Sequence, residues 1–197
     1  MAGRPKTYDR DHILIIAREL FWQKGYAGAS LLDLTKEMEV SKSTFYNAFE
    51  SKDELYKICL ENYGREFVRE MIQKVAVKDW VLPSLRKYFE NIATENEGDT
   101  PARGCLLVNS ANEIGLTHPF LSPVIQDLMQ LVCNTLKNAL DLAVRKGELK
   151  LGFDTERGAI YLLTMMNGLR TMVKSGTDPD ILKKQVDLTF DKVILHW

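Results

Sequence analysis

The sequence predicts an all-α protein of about nine helices: a three-helix helix-turn-helix module over residues 1–52, then a larger helical domain over 53–197. Three observations carry this. Apolar residues recur at three- and four-residue intervals along nearly the whole chain, with no strand-like alternation and no internal repeat. Three serine-led cap signals fall at Ser30, Ser41 and Ser51, each just ahead of an apolar helical period. The last two helices carry more apolar surface than a domain of this size can cover by itself.

The first helix is expected from about Asp9 to Lys24, with Ile13, Ile16, Ala17, Leu20 and Phe21 on one face and Gly25 stopping it. Ser30 caps a second helix carrying Leu31, Leu34 and Met38, and Asp33 completes a capping-box pattern. Ser41 caps a third, through Phe45 and Phe49, and Ser51 with Glu54 forms another box ahead of Leu55, Ile58 and Leu60. Each cap contributes about 1 kcal/mol, so three short helices are held at defined angles. The expected core of this module is Ile16, Leu20, Phe21, Leu34, Val40, Phe45 and Phe49, with Tyr26 closing one edge.

The third helix turns only Phe45, Ala48 and Phe49 inward. Its outer face presents Lys42, Ser43, Thr44, Tyr46 and Asn47, and no acidic residue lies between Val40 and Phe49. Hydroxyls, an amide and a cation near a helix N-terminus are what base edges and phosphates in a major groove require. The same residues would also suit an ordinary solvated face.

The segments AxELFxxKGY (Ala17 to Tyr26), SLLDLTKEMEVSKSTFYNAF (Ser30 to Phe49) and SKDEL (Ser51 to Leu55) resemble the signature of TetR-family transcriptional regulators, including the spacing of Lys42, Thr44, Tyr46, Phe49 and Lys52. The resemblance is specific over about fifty residues; beyond them only the all-helical pattern matches. It implies a ligand-responsive regulator binding a pseudo-palindromic double-stranded operator. The contacts would be Ser30, Ser41, Lys42, Ser43, Thr44, Tyr46, Asn47 and Lys52. Independently, Arg4, Lys6 and Arg10 precede or open the first helix, so Arg4 and Lys6 form either a basic arm that reaches a minor groove or phosphates or a frayed polar terminus. One position departs from the family pattern. Glu39 stands where glycine is common, at a turn that often needs positive φ, costing on the order of 1 kcal/mol.

After Leu55 the fourth helix is expected to reach about Val77 and the fifth to span Asp79 to Glu97, with Pro83 in or near its first turn. ENEGDT (Glu95 to Thr100) reads as a loop, and Pro101 at N1 starts a sixth helix ending at Gly115. The seventh, Pro119 to Lys146, has the cleanest stripe. The eighth, about Thr155 to Lys174, is apolar nearly all round. The ninth, Pro179 to Trp197, has one stripe of Leu182, Val186, Phe190, Val193 and Trp197 and a second set of Ile181, Leu188 and Leu195. The surplus implies a homodimer through the last two helices with two-fold symmetry, which suits recognition helices spaced about 34–36 Å apart on DNA.

The net charge of −1 argues against indiscriminate nucleic-acid binding, and the module through Lys52 carries eight basic against seven acidic residues. No apolar run approaches the roughly 20 residues of a membrane span, and the polar start Met1 to Lys6 has no apolar signal region, so a cytoplasmic location is expected. His12, His118 and His196 are dispersed and no HExxH, CxxC or glycine-rich phosphate loop occurs; no metal, cofactor or catalytic constellation is expected.

A regulator of this kind must couple a small-molecule effector to the spacing of its reading heads. The pocket candidates combine apolar surface with a few amides: Tyr63, Phe67, Phe89, Cys105, Asn109, Asn112, Met129, Cys133, Met166 and Asn167. Equally, an aromatic or methionine at helical spacing is plain core. Three cysteines, Cys59, Cys105 and Cys133, form no even framework and suit a reducing compartment. Cys105 follows Arg103 and Gly104 near a helix start, where dipole and cation would both favour a thiolate. GCLLVNSANE also resembles TetR-like regulators whose cysteine answers electrophiles or oxidants; the alternative is a small buried hydrophobe. From a different class, the helical domain would be a ligand-binding or catalytic module with a vestigial DNA head.

Overall fold

Local chemistry starts and stops the helices of the N-terminal module. In the computed structural model, which describes residues 9–75, 80–95 and 103–194, α1 (Arg10–Gly28) begins where the Asp9 carboxylate accepts the backbone N–H groups of Asp11 and His12. Gly25, at φ 74°, breaks α1 as its position predicts, but one more helical turn follows to Gly28. At α2 (Leu31–Glu37) the capping box is complete: Asp33 N–H donates to Ser30 Oγ at 3.1 Å, and Ser30 N–H donates to the Asp33 carboxylate at 3.2 Å. α3 (Lys42–Phe49) starts under Ser41, whose Oγ accepts Thr44 N–H at 3.1 Å. Ser51 caps α4 (Lys52–Val75) by accepting Glu54 N–H at 3.0 Å.

Glu39 adopts φ 52°, the positive φ its place in the turn predicts, and Glu50, the C-cap of α3, also has positive φ, at 60°. Glu39→Gly relieves about 1–2 kcal/mol of side-chain strain and adds back up to about 1 kcal/mol of unfolded-state entropy. A net gain of about 1 kcal/mol is expected, read as a thermal midpoint raised by about 2–4 °C. A lowered midpoint would show that Glu39 makes a compensating interaction.

Phe21, Leu34, Phe45 and Phe49 are buried together with Ile13, Ala17, Leu20, Ala29 and Met38. Ile16 and Val40, expected inside, are only partly buried and pack on the rim of this cluster.

The 24-residue α4 joins the module to the remainder, packing on α1 and on α7 (Leu121–Arg145). Gly64 allows the close approach of α7, since a Cβ there would lie 2.7 Å from Leu128 Cδ2. α5 (Val81–Ala93) has Pro83 in its first turn as predicted; its N-terminal cap comes from far along the chain, the Glu148 carboxylate accepting Val81 and Leu82 N–H at 2.8 and 2.7 Å.

Helix six is shorter than predicted. α6 spans Leu106–Ile114. Gly104 has φ 70° and cannot continue a right-handed helix, so the chain is still extended at Cys105. Thr100 and Pro101 lie outside the described residues.

α8 (Thr155–Lys174) matches its predicted bounds, and α9 (Pro179–Leu188) runs into a π-helical segment at Thr189–Ile194. Wider winding moves the next inward position from i+3 to i+4. Ile194 is therefore buried after Phe190, where Val193 was expected; Leu195 and Trp197 lie outside the described residues. The second apolar face of these helices faces out: Ile160, Met172, Ile181 and Leu188 are all exposed in the single chain. Among the described residues no helix is long and apolar enough to cross a membrane.

Candidate nucleic-acid interface and effector pocket

Buried Phe45 and Phe49 anchor α3, leaving Lys42, Ser43, Tyr46 and Asn47 exposed and Thr44 half-buried. Tyr46 is half exposed, and its ring stands edge-on to Phe45 with centroids 5.5 Å apart, which orients the phenol outward. Ser30 and Ser41 are exposed but committed to capping; Ser41 Oγ also lies 2.9 Å from Ser43 Oγ and 2.8 Å from Thr44 Oγ1. Lys52 is held over the Tyr26 ring, its nitrogen 4.3 Å from the centroid, and partial burial lowers its pKa. Arg4 and Lys6 lie outside the described residues.

Tyr26 is more than an edge residue. Its hydroxyl donates to the Asp53 carboxylate and lies 3.1 Å from His118 Nε2, while Tyr26 and Ala27 N–H donate to the Glu113 carboxylate at 2.9 and 2.7 Å. Burial, then the Asp53 contact, raises the Tyr26 pKa, so the phenol remains a donor. Beside it the fully buried Tyr56 shares a 2.7 Å hydrogen bond with Ser110 of α6. The end of α1, the start of α4, and α6 with the turn after it thus share one polar junction. Asp53, Glu113 and His118 have no distinguishing sequence context, because their partners lie 27, 86 and 92 residues away.

The pocket candidates separate in space. Tyr63 and Phe67 line a cavity of about 500 Å³ between α1, α4 and α8, open on one side. Cys105 lies behind Tyr63, buried, with the Tyr63 hydroxyl donating to its Sγ at 3.4 Å; burial pushes the Tyr63 phenol well above its ordinary value. Asn109 closes the neighbouring corner, donating to Arg103 O at 3.0 Å and accepting from Lys174 Nζ at 3.1 Å. Phe89 is fully buried against Phe190, Met166 is in the core, and Asn167 is half-buried on α8. Met129 and Cys133 line a different, shallow groove with Leu163 and exposed Ile160. Asn112 is exposed, which corrects its expected place inside an apolar helix: α6 buries its 106, 107, 108, 110 and 114 positions and leaves Asn112, near its C-terminal end, in solvent.

Arg18, Trp22 and Arg170 also line the cavity and were not singled out by composition or spacing, and Arg103, expected only as the cation beside Cys105, lines it too. One signal was available. Arg170 is the sole charged residue between Arg157 and Lys174 in an otherwise apolar helix, and its side chain is only 9% exposed.

Family models agree with this architecture in both parts. Residues 13–58 match the model of bacterial regulatory proteins of the tetR family, and residues 81–187 match the tetracyclin repressor-like C-terminal domain. The chain belongs to the TetR family. It is 29% identical over 176 residues to the HTH-type transcriptional repressor ComR of Escherichia coli K12, covering 88% of this chain and 83% of ComR. Among solved structures, the TetR family regulator CifR, as a cysteine mutant complexed with 26-bp double-strand operator DNA, superposes with a TM-score of 0.83 at 26% identity, covering 96% of this chain and 100% of that one. The reduced form of E. coli NemR shares the fold, with a TM-score of 0.80 at 20% identity over 90% of this chain and 94% of that one. This TetR-family chain is a DNA-binding transcriptional regulator.

Proposed function

We propose that this TetR-family regulator is a homodimeric repressor, released from a pseudo-palindromic operator by a small-molecule effector bound in its helical domain. The outer face of α3 carries the reading: Lys42, Ser43, Tyr46 and Asn47 are exposed on a helix without a single carboxylate and are held in place by Phe45 and Phe49. The repressor name of ComR and the operator complex of CifR support it.

Dimerisation is supported by the exposed apolar residues of α8 and α9, which stand on the faces not used by the core. Coupling is supported by the Tyr26 junction. An effector that shifts α6 or α8 moves Glu113 and His118 relative to Tyr26 and Asp53, and so favours a dimer whose recognition helices no longer fit successive grooves. Arg4 and Lys6 would add phosphate or minor-groove contacts.

Selecting bound duplexes from a random pool tests this. Enrichment of an inverted repeat with half-site centres about one or two helical turns apart is expected. No enrichment, or a lone half-site bound by a monomer, rejects it.

A further inference from the structure

The cavity between α1, α4 and α8 has an unusual chemical imbalance. Among the described residues, the buried side-chain nitrogens and oxygens without a hydrogen-bond partner are Arg18 Nε, Trp22 Nε1 and Arg170 Nε. All three are N–H donors, and all three residues line this one cavity. A buried donor without an acceptor is costly, so a site that collects three of them is short of acceptors.

We propose that this cavity binds an organic monocarboxylate with a flat aromatic body, its oxygens accepting from Arg170, Trp22 and Arg18. Arg170 is the anchor, with its side chain nine-tenths buried and its guanidinium 5.2 Å from the centroid of the Phe67 ring. The guanidinium is held by the exposed Glu95 carboxylate, 3.4 and 3.5 Å from Nη1, and by a side-chain hydrogen bond to buried Tyr88, while Nε has no partner and offers its edge for the side-on approach a carboxylate takes on a guanidinium.

The aromatic body has its own wall. Trp22 meets Tyr63 edge-on at 5.2 Å, and Tyr63 stacks on Phe67 at 6.2 Å. The glutamates around the cavity do not favour a cationic ligand, because Glu66 is bonded to Arg18 Nη1 at 2.7 Å and Glu70 to Lys74. With Glu95, three carboxylates face three arginines at the cavity wall, so the site suits one negative charge better than the two of a phosphate monoester.

This inference deepens the effector reading and rests on it only for the consequence to DNA. The test is calorimetric titration of the full-length protein with 2-naphthoate, phenylacetate and indole-3-acetate, each against its neutral amide, with 2-naphthylmethylamine as the cationic control. At least one acid is expected to bind ten times or more tighter than its amide. Trp22→Phe, which keeps an aromatic wall and removes one donor, should cut that preference at least threefold. Arg170→Gln should abolish it, with far-UV circular dichroism checking the fold. Acids no tighter than their amides, an amine tighter than its acid, or no binding by any acid overturns the proposal; so does an acid preference unchanged in Trp22→Phe. Operator affinity measured with the bound acid separates the two readings: an acid that binds in the cavity and leaves operator affinity unchanged sinks the effector role and leaves the site standing.

Discussion

Replacing both Ile181 and Leu188 with glutamate is expected to convert the protein to a monomer at micromolar concentration and to weaken operator binding at least a hundredfold. The two residues lie seven apart on α9, on one face, 50% and 51% exposed, while Leu182 and Val186 on its inward face are fully buried. Ile160 and Met172 add exposed apolar surface on α8, and Gly168 between them leaves open space where a Cβ would stand. Burying an aliphatic side chain of this size is worth about 1.5–3 kcal/mol, and each subunit would contribute the pair. Two glutamates opposite their symmetry mates reverse that gain and add like-charge repulsion. A monomer reaches one half-site at a time and loses the effective-concentration advantage, on the order of 10²–10⁴. Light scattering with an operator titration reads both effects, and unchanged helical content shows that the subunit survives. A double variant that still sediments as a dimer places the interface elsewhere, and a wild-type monomer at working concentration removes the dimer altogether.

Tyr46→Ala and Lys42→Ala are each expected to weaken operator binding by roughly 10- to 100-fold, the 1–3 kcal/mol of a good base or phosphate contact in the major groove. Both side chains are exposed, and neither supports the core, so melting temperature and dimerisation should hold. Because the Tyr46 ring rests on Phe45, Tyr46→Phe separates the hydroxyl from the ring. A defect in the alanine variant that the phenylalanine variant lacks assigns the contact to ring packing against the DNA. Operator binding unaffected by both alanine changes would remove α3 from the interface.

The N-terminal module was legible because its determinants are local. A cap acts on backbone within three residues, so Ser30, Ser41 and Ser51 announced helix starts that the structure reproduces. Positive φ at Glu39 followed equally from the turn that holds it. Helix six was misplaced for the same kind of reason. Proline before an apolar run is a start signal, but Gly104 in the left-handed region holds off the first helical residue until Leu106. The end of α9 also escaped, since nothing in the spacing of Leu182, Val186 and Phe190 marks the change to wider winding at Thr189.

The pocket was the least legible part. Of the residues expected to share one pocket, Tyr63 and Phe67 line the cavity between α1, α4 and α8 with Cys105 close by, whereas Met129, Cys133 and Phe89 face other spaces and Asn112 faces solvent. Amphipathic periodicity says which side of a helix is buried and not which neighbour buries it, so aromatic residues around a cavity look the same as aromatic residues in a core. Charged residues carried the better information. Arg170 within an apolar helix marks a buried cation, and a buried cation needs partners.

The sequence alone determined what repeats within a few residues: the helical class, the capped turns of the N-terminal module, the carboxylate-free face of α3, and the apolar surplus of the last two helices. Tertiary structure decided what depends on residues meeting across the chain. Tyr26 meets Glu113 and His118 some ninety residues away, Arg18 and Trp22 of α1 come together with Arg170 of α8, and Glu148 caps α5. Caps and periodicity are set by backbone geometry over one or two turns, whereas a junction or a cavity exists only once separate helices pack at a particular angle and depth.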